Sequence, residues 1–358
     1  WNFTGFSGHA FREHSGAIRC VSVHDNERLF LSGSKDTTVK CWDLLSEGTS
    51  RQTYSGHKFP INQAEFVDRG NLVASCDGAV HVWELERGIK LTHMDAYTVS
   101  SHAANSSSRG DGPAPIFTCF ASHQDGRVLV CGTSLSTVTF TDLRAEQDVV
   151  CEWYLPTTSA NTSVGSSSSA SSASTPGSAS GISSGSTSSS GASAAAAYPR
   201  AISLGHIDQN LMVVGQSSGH MTLIDIRSGL LLYNWRAHEG PISSVKTVSD
   251  SSGYIVSSSL DKTIYLWDIA NVNQASPVGL TQFRGHSDSH ISFDTFRGNL
   301  YSVSGQKIAI APLFGQPAQV MLDKRKLIKT NALKLTNMLT SFNILQLQHL
   351  ALVGYDDG

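Results

Sequence analysis

One unit of fixed internal spacing occurs at two distant places in the chain, and this self-similarity constrains the fold more than any other feature. The first copy runs His14-Ser-Gly-Ala-Ile18-Arg-Cys-Val21, then Leu29-Phe-Leu-Ser-Gly-Ser-Lys-Asp36, then Thr38-Val-Lys-Cys-Trp42-Asp43. The second runs His238-Glu-Gly-Pro-Ile242-Ser-Ser-Val245, then Tyr254-Ile-Val-Ser-Ser-Ser-Leu-Asp261, then Thr263-Ile-Tyr-Leu-Trp267-Asp268. Each copy holds three short β-branched, alternating runs separated by turn residues, the pattern of antiparallel strands. A fourth strand is expected before each histidine.

A four-stranded unit cannot cover both of its faces alone, so several must pack around an axis, where only short protected edges remain. Weaker copies fill the space between the two anchors. Blade two runs through His57, Ile61, Asp77 and Trp83; blade three through Ile116, 128–132 and 138–142, without the Trp; blade four through Ile202, 211–215 and 221–225. Blade six uses His286, 291–296, 300–303 and 308–310, and blade seven 339–344 and 350–354. Once a low-complexity insert is subtracted, the length fits seven units of about 40 to 45 residues. The prediction is an all-β, seven-bladed propeller over residues 1–358 with an incomplete last blade. Its closing strand is expected within Trp1 to Arg12, and the third strand of blade seven has not yet appeared at Asp356-Asp357-Gly358. The start at Trp1 and the turn-like end read as cuts from a larger protein.

Residues 157–197 are almost entirely Ser, Gly, Ala and Thr. Such a composition buries too little apolar surface to offset the entropy of ordering, so it reads as a disordered loop between blades three and four. Residues 100–112 form a shorter polar insert between blades two and three. A linker between two domains is the rival reading. It is disfavoured because neither half has enough blades to close a ring.

Charge and cysteine usage exclude several function classes. The 26 Lys and Arg against 29 Asp and Glu give a net charge of -3, without the basic face that nucleic acid requires. The six cysteines, Cys20, Cys41, Cys76, Cys119, Cys131 and Cys151, are spread singly and read as buried reduced thiols, without metal or redox spacing. No apolar run approaches the roughly 20 residues that span a bilayer, and no signal peptide opens the chain, which points to the cytoplasm. The sequons at Asn2, Asn105 and Asn161 carry no weight there.

His, Ser and Asp recur together, a trio that can build a nucleophilic triad. The spacing favours a structural network instead, one His before the first strand, a Ser on the second, an Asp in the turn and a Trp on the third. His14, Asp36 and Trp42 with Ser32 or Ser34 form one such set, and His238, Asp261 and Trp267 with Ser257 or Ser259 another. His57, Asp77 and Trp83 form a third. Blade four puts Ser218 and Ile224 at the Asp and Trp places, and graded loss suits architecture, since a buried polar network stabilises only when fully satisfied. His9 competes with His14, but His14 lies four residues before Ile18, as His57 does before Ile61 and His238 before Ile242. No G-x-S-x-G elbow or oxyanion site can be named. No catalytic residue, cofactor or metal site is predicted, and the chain reads as a non-enzyme.

The blade grammar, and above all Val73-Ala-Ser-Cys-Asp-Gly-Ala-Val-His-Val-Trp83 with Ala237-His-Glu-Gly240 and Val256-Ser-Ser-Ser259, resembles the C-terminal WD40 propellers of the BEACH–WD40 family. The resemblance implies a BEACH domain before Trp1 and residence on the cytosolic faces of endosomes and lysosomes. It also implies partnership with a second WD-repeat protein, WD repeat-containing protein 91. Such proteins restrain the class III phosphatidylinositol 3-kinase complex during early-to-late endosome conversion and are linked to autophagy. The Ser-rich insert departs from the vertebrate pattern and suggests an invertebrate relative.

Two other functions compete. Thr141-Asp142-Leu-Arg144 and Ile224-Asp225-Ile-Arg227 end their third strands in Asp-x-Arg, as do propellers that bind a cullin-RING ligase adaptor; the plainer reading is a capped turn. Phosphoinositide-binding propellers carry F-R-R-G, whereas Phe283-Arg-Gly285 and Phe296-Arg-Gly298 are each one Arg short. The run Lys324-Arg325-Lys326 with Lys329 could touch an anionic membrane at about 1 kcal/mol per basic residue, or simply protect a strand edge.

Overall fold

In a computed structural model the described residues are 10–46, 48–96, 114–123, 126–143, 149–156, 197–205, 210–248, 253–270, 276–286, 288–289, 291–305, 307–314, 320–322, 338–345 and 350–358. They form six four-stranded antiparallel sheets and one two-stranded sheet, each with its strands in sequential order. Sheet one is β1 (Ile18–Val23), β2 (Leu29–Ser34), β3 (Val39–Asp43) and β4 (Ser50–Tyr54). Sheet two is β5 (Gln63–Val67), β6 (Leu72–Cys76), β7 (Ala79–Glu84) and β8 (Lys90–Asp95). Sheet three is β9 (Phe117–Ser122), β10 (Val128–Thr133), β11 (Thr137–Asp142) and β12 (Val149–Tyr154). Sheet four is β13 (Pro199–Leu204), β14 (Leu211–Gln216), β15 (His220–Asp225) and β16 (Leu230–Arg236). Sheet five is β17 (Ile242–Thr247), β18 (Tyr254–Ser259), β19 (Ile264–Asp268) and β20 (Val278–Phe283). Sheet six is β21 (Ile291–Phe296), β22 (Asn299–Ser304), β23 (Lys307–Pro312) and β24 (Val320–Leu322), and the last sheet is β25 (Leu339–Leu345) with β26 (Leu350–Tyr355).

Each sheet's first strand lies innermost, touching the first strand of the next sheet, and β25 touches both β21 and β1. The molecule is thus an all-β propeller. The described residues give six complete blades, where the sequence counted seven units; the seventh unit contributes only β25 and β26. Among the described residues β26 pairs with β25 alone. The closing strand expected within residues 1–12 falls mostly on 1–9, outside the described residues, and 10–12 carry no strand. Both inserts also fall outside them, apart from Ala197.

The strand before each histidine closes the preceding sheet: β4 precedes His57 in sequence yet pairs with β3. A repeat that starts with the strand before its histidine and ends at the Trp therefore straddles two blades, because the chain passes from the outer rim back to the axis between them.

The core is a series of layers between blades rather than one central mass. Leu31, Cys41 and Tyr54 of blade one meet Ile61, Val73 and Trp83 of blade two, and Phe296, Tyr301 and Val303 of blade six meet Leu339, Phe342 and Ile344 of the last sheet. Burying one Leu or Ile side chain contributes about 1.5–3 kcal/mol, so each layer supplies cohesion between neighbours only. Polar side chains stitch the inner strands together. Gln63 exchanges hydrogen bonds with the Phe120 backbone, and Ser292 and Asp294 accept the Phe342 and Ile344 N–H groups at 3.0 Å each. Four cysteines are buried and two half-buried, all as free thiols. Among the described residues no helix is long and apolar enough to cross a membrane.

Candidate functional site

The geometry of blades one and five resolves which serine joins each histidine. Ser32 Oγ lies 2.7 Å from His14 Nε2 and accepts the Trp42 Nε1–H at 2.7 Å, while His14 Nδ1 lies 2.8 Å from Asp36 Oδ2. In blade five Ser257 Oγ lies 2.8 Å from His238 Nε2 and 2.9 Å from Trp267 Nε1, and His238 Nδ1 lies 3.1 Å from Asp261 Oδ2. Ser34 and Ser259 do a different job: they donate to the Gly16 and Pro241 carbonyls and accept the Asp36 and Asp261 N–H groups. Thr38 and Thr263, absent from the sequence-derived sets, each donate a hydroxyl to the aspartate Oδ1 at 2.6 Å. A Thr two residues after the Asp was the readable signal.

Burial holds the His14 and His238 imidazoles below their ordinary range despite the neighbouring carboxylates. For Asp36 and Asp261 burial acts in the opposite sense and is the largest single influence. The combined bonds from the threonine and histidine outweigh it, and both carboxyls sit below the usual value. Ser32 and Ser257, 2% and 0% exposed, have no path to a substrate. These sets hold strands in place and cannot deliver a nucleophile.

Blade two keeps the plan with a change. His57 Nε2 meets Ser75 Oγ at 2.7 Å, Trp83 donates to the same oxygen at 3.2 Å, and His57 Nδ1 lies 3.2 Å from Asp77 Oδ1. Asp77 Oδ2 caps the loop by accepting the Lys58 and Phe59 N–H groups. Burial again opposes ionisation, yet the His57 and backbone bonds hold its carboxyl well below the usual range. Ala79 stands where the other blades have the threonine. Two further imidazoles crowd the site: His81 stacks on His57 at 4.0 Å, and His93 meets His81 edge-on at 4.5 Å. Burial pushes His81 down to about 3, with His57 and His93 adding to the effect.

The remaining blades show the network eroding. In blade four Ser218 bonds only to its neighbours Gln216 and His220, and Ile224 is fully buried. Blade three replaces the set with a Thr133–Thr137 hydroxyl pair at 2.6 Å. Blade six keeps His286 on Ser302 at 3.0 Å, but His286 Nδ1 is buried without a partner.

Of the Asp-x-Arg residues, Asp142 ends β11, half-buried, and Arg144 lies outside the described residues. Asp225 accepts the Arg227 backbone N–H at 2.9 Å and the Ser228 hydroxyl at 2.8 Å, while the Arg227 side chain is exposed. Asp43 and Asp268 accept the same i+2 N–H from Leu45 and Ala270 at 2.9 Å. The aspartate therefore caps the turn whatever residue follows. Of the basic candidates, Arg284 is exposed, Arg297 lies over its own neighbour Phe296 at 5.0 Å, and residues 324–329 lie outside the described region. Arg284 precedes blade six's first strand and Arg297 follows it, so the two open onto opposite faces and form no joint site.

Three segments, residues 5–43, 48–84 and 229–268, match the WD domain, G-beta repeat family. The chain is 29% identical to "Probable inactive serine/threonine-protein kinase lvsG" of Dictyostelium discoideum over 97% of its length and 14% of that protein's. It is 28% identical to WD repeat-containing protein 81 of Rattus norvegicus and of Homo sapiens, over 98% of its length and 15% of theirs. The chain thus spans about one seventh of the curated relatives it matches.

Proposed function

We propose that this WD40-repeat propeller, similar over nearly its whole length to WD repeat-containing protein 81, is a docking platform for protein partners that performs no chemistry of its own. One observation carries the reading: the recurring His, Ser and Asp groups are consumed in buried networks between strands, leaving the loops of the two faces as the surface on offer. Within it, the β25–β26 pair is the inner half of a seventh blade, and a BEACH domain precedes the propeller.

The likeness to WD repeat-containing protein 81 supports a cellular setting as well. We place the protein on the cytosolic faces of endosomes and lysosomes, with WD repeat-containing protein 91 and the class III phosphatidylinositol 3-kinase complex as partners. Restraint of that kinase during endosome conversion, and a link to autophagy, belong to the same proposal.

Affinity capture with the intact chain from cell extract tests this. Recovery of the second WD-repeat protein or the kinase complex supports the endosomal reading. Recovery of a cullin-RING ligase adaptor instead, lost on Arg144→Ala and Arg227→Ala, replaces it with a substrate receptor, for which the exposed Arg227 is the supporting feature. Capture of neither overturns both.

A further inference from the structure

Blade two contains more imidazole than its architecture needs. In blade one the third-strand residue opposite the network serine is Lys40, facing Thr53 on the fourth strand; in blade five the pair is Tyr265 and Gln282. Those blades hold complete networks without a second histidine. In blade two the same two places are His81, opposite Ser75, and His93, opposite His81.

Each of the three rings has one nitrogen held from behind. His57 Nε2 is held by Ser75 at 2.7 Å, His81 Nδ1 by the Tyr54 hydroxyl at 2.8 Å and His93 Nε2 by Asp95 at 3.1 Å. His57 Nδ1, on a side chain 0% exposed, faces the Asp77 carboxylate at 3.2 Å, while His93 Nδ1 is buried with no hydrogen-bond partner. Leaving such a group unpaired costs about 1–3 kcal/mol. Ala79 supplies Asp77 with no hydroxyl of the kind that Thr38 and Thr263 give to Asp36 and Asp261, and Asp77 accepts a second loop N–H, from Phe59, in its place. His57, Asp77 and His81 each bring a donor atom within 4.8 Å of the others.

We propose that His57, Asp77 and His81, with the partly exposed His93 as fourth ligand, form a structural binding site for a divalent cation of the zinc class. Three imidazoles and one carboxylate suit zinc, whereas calcium and magnesium demand oxygen. Ligand atoms around a tetrahedral zinc stand roughly 3.3 Å apart for bonds of about 2.0–2.1 Å. The 3.2 Å between His57 Nδ1 and Asp77 Oδ1 already fits, and binding draws His81 and His93 inward. Ser75, Tyr54 and Asp95 orient the rings from behind, as groups bonded to the far nitrogen of a ligating histidine do.

The metal-free chain is titrated with Zn²⁺ by calorimetry and with Co²⁺ by visible absorption. One equivalent of Zn²⁺, a tetrahedral Co²⁺ spectrum and a raised melting temperature are expected, with no response to Ca²⁺ or Mg²⁺. His93→Gln, at the rim, weakens Zn²⁺ binding by at least about tenfold. His81→Phe abolishes it, and His220→Gln on blade four leaves it unchanged. The absence of stoichiometric Zn²⁺ binding, or full binding retained in His93→Gln and His81→Phe, overturns the proposal. Should His81→Phe fail to fold, His93→Gln decides alone.

Discussion

Gly354 of the last strand lies so close to Ile18 of the first that a β-carbon there would come within 2.7 Å of the Ile18 Cγ2. The same approach recurs inside the ring. A β-carbon at Gly215 would meet Ile242 Cγ2 at 2.5 Å, at Gly33 it would meet Ile61 Cγ2 at 2.6 Å, and at Gly132 it would meet Pro199 at 2.6 Å. Each of these glycines sits on a second strand and faces the start of the next blade. Gly358 likewise abuts the His14 carbonyl as Gly219 abuts that of His238. The β25–β26 pair therefore docks on blade one as ordinary blades dock on their successors, which is the physical support for treating it as half a blade.

Substituting Val at Gly354 should therefore destabilise the chain about as much as Val at Gly215, each by about 1–3 kcal/mol from overpacking. Thermal or urea unfolding of the two variants checks this. A cost at Gly215 with none at Gly354 would show that the last sheet does not seal against blade one.

The spacing from His14 to Trp42, and from His238 to Trp267, made the networks legible because each member sits at a fixed place relative to a turn. His14 was distinguishable from His9 by that spacing. The choice between Ser32 and Ser34 was not legible, since residues two apart on a strand point the same way and only the three-dimensional reach to Trp42 separates them. The cluster of His81 and His93 escaped the sequence for a related reason: residues 12 apart meet only once the hairpin register is known. The blade count fared differently, as the seventh unit's two apolar runs are visible while a partner for the outer edge of β26 is not.

Ser257 serves two partners at once, His238 and Trp267. Ser257→Ala leaves both buried nitrogens without an acceptor or donor, so the expected loss is about 1–3 kcal/mol for each group left unsatisfied. Ser259→Ala should cost less, because Ser259 bonds backbone groups near the turn. Equal effects in equilibrium unfolding would contradict the central place given to Ser257.

Burial pushes the thiols of Cys20, Cys76 and Cys119 up to about 12 and that of Cys41 to about 11. Since the thiolate is the reactive form, native protein should resist alkylation at neutral pH and become reactive only on unfolding. Mass spectrometry after a timed iodoacetamide pulse, with and without denaturant, measures this. Rapid native labelling of Cys76 or Cys119 would contradict the packing between blades two and three.

The histidines also fix how stability changes with acidity. His14, His238 and His286 are each held below the ordinary 6.5, mainly by burial, so the folded chain favours their neutral forms. Below about pH 6.5 the unfolded chain binds more protons at these positions than the folded one, and stability falls as pH falls. Asp36 and Asp261 are also lowered, from 3.8, so their contribution persists above that value and is lost only in stronger acid. Two stages follow, an early decline from imidazoles and a later one from carboxylates. The melting temperature should drop between about pH 7.5 and about pH 5.5, before the aspartates titrate. His286 has no carboxylate on its free nitrogen, so His286→Gln should flatten part of the early stage while leaving the later one intact. A melting temperature that stays level or rises across the first interval would mean that these rings are not held neutral in the folded chain.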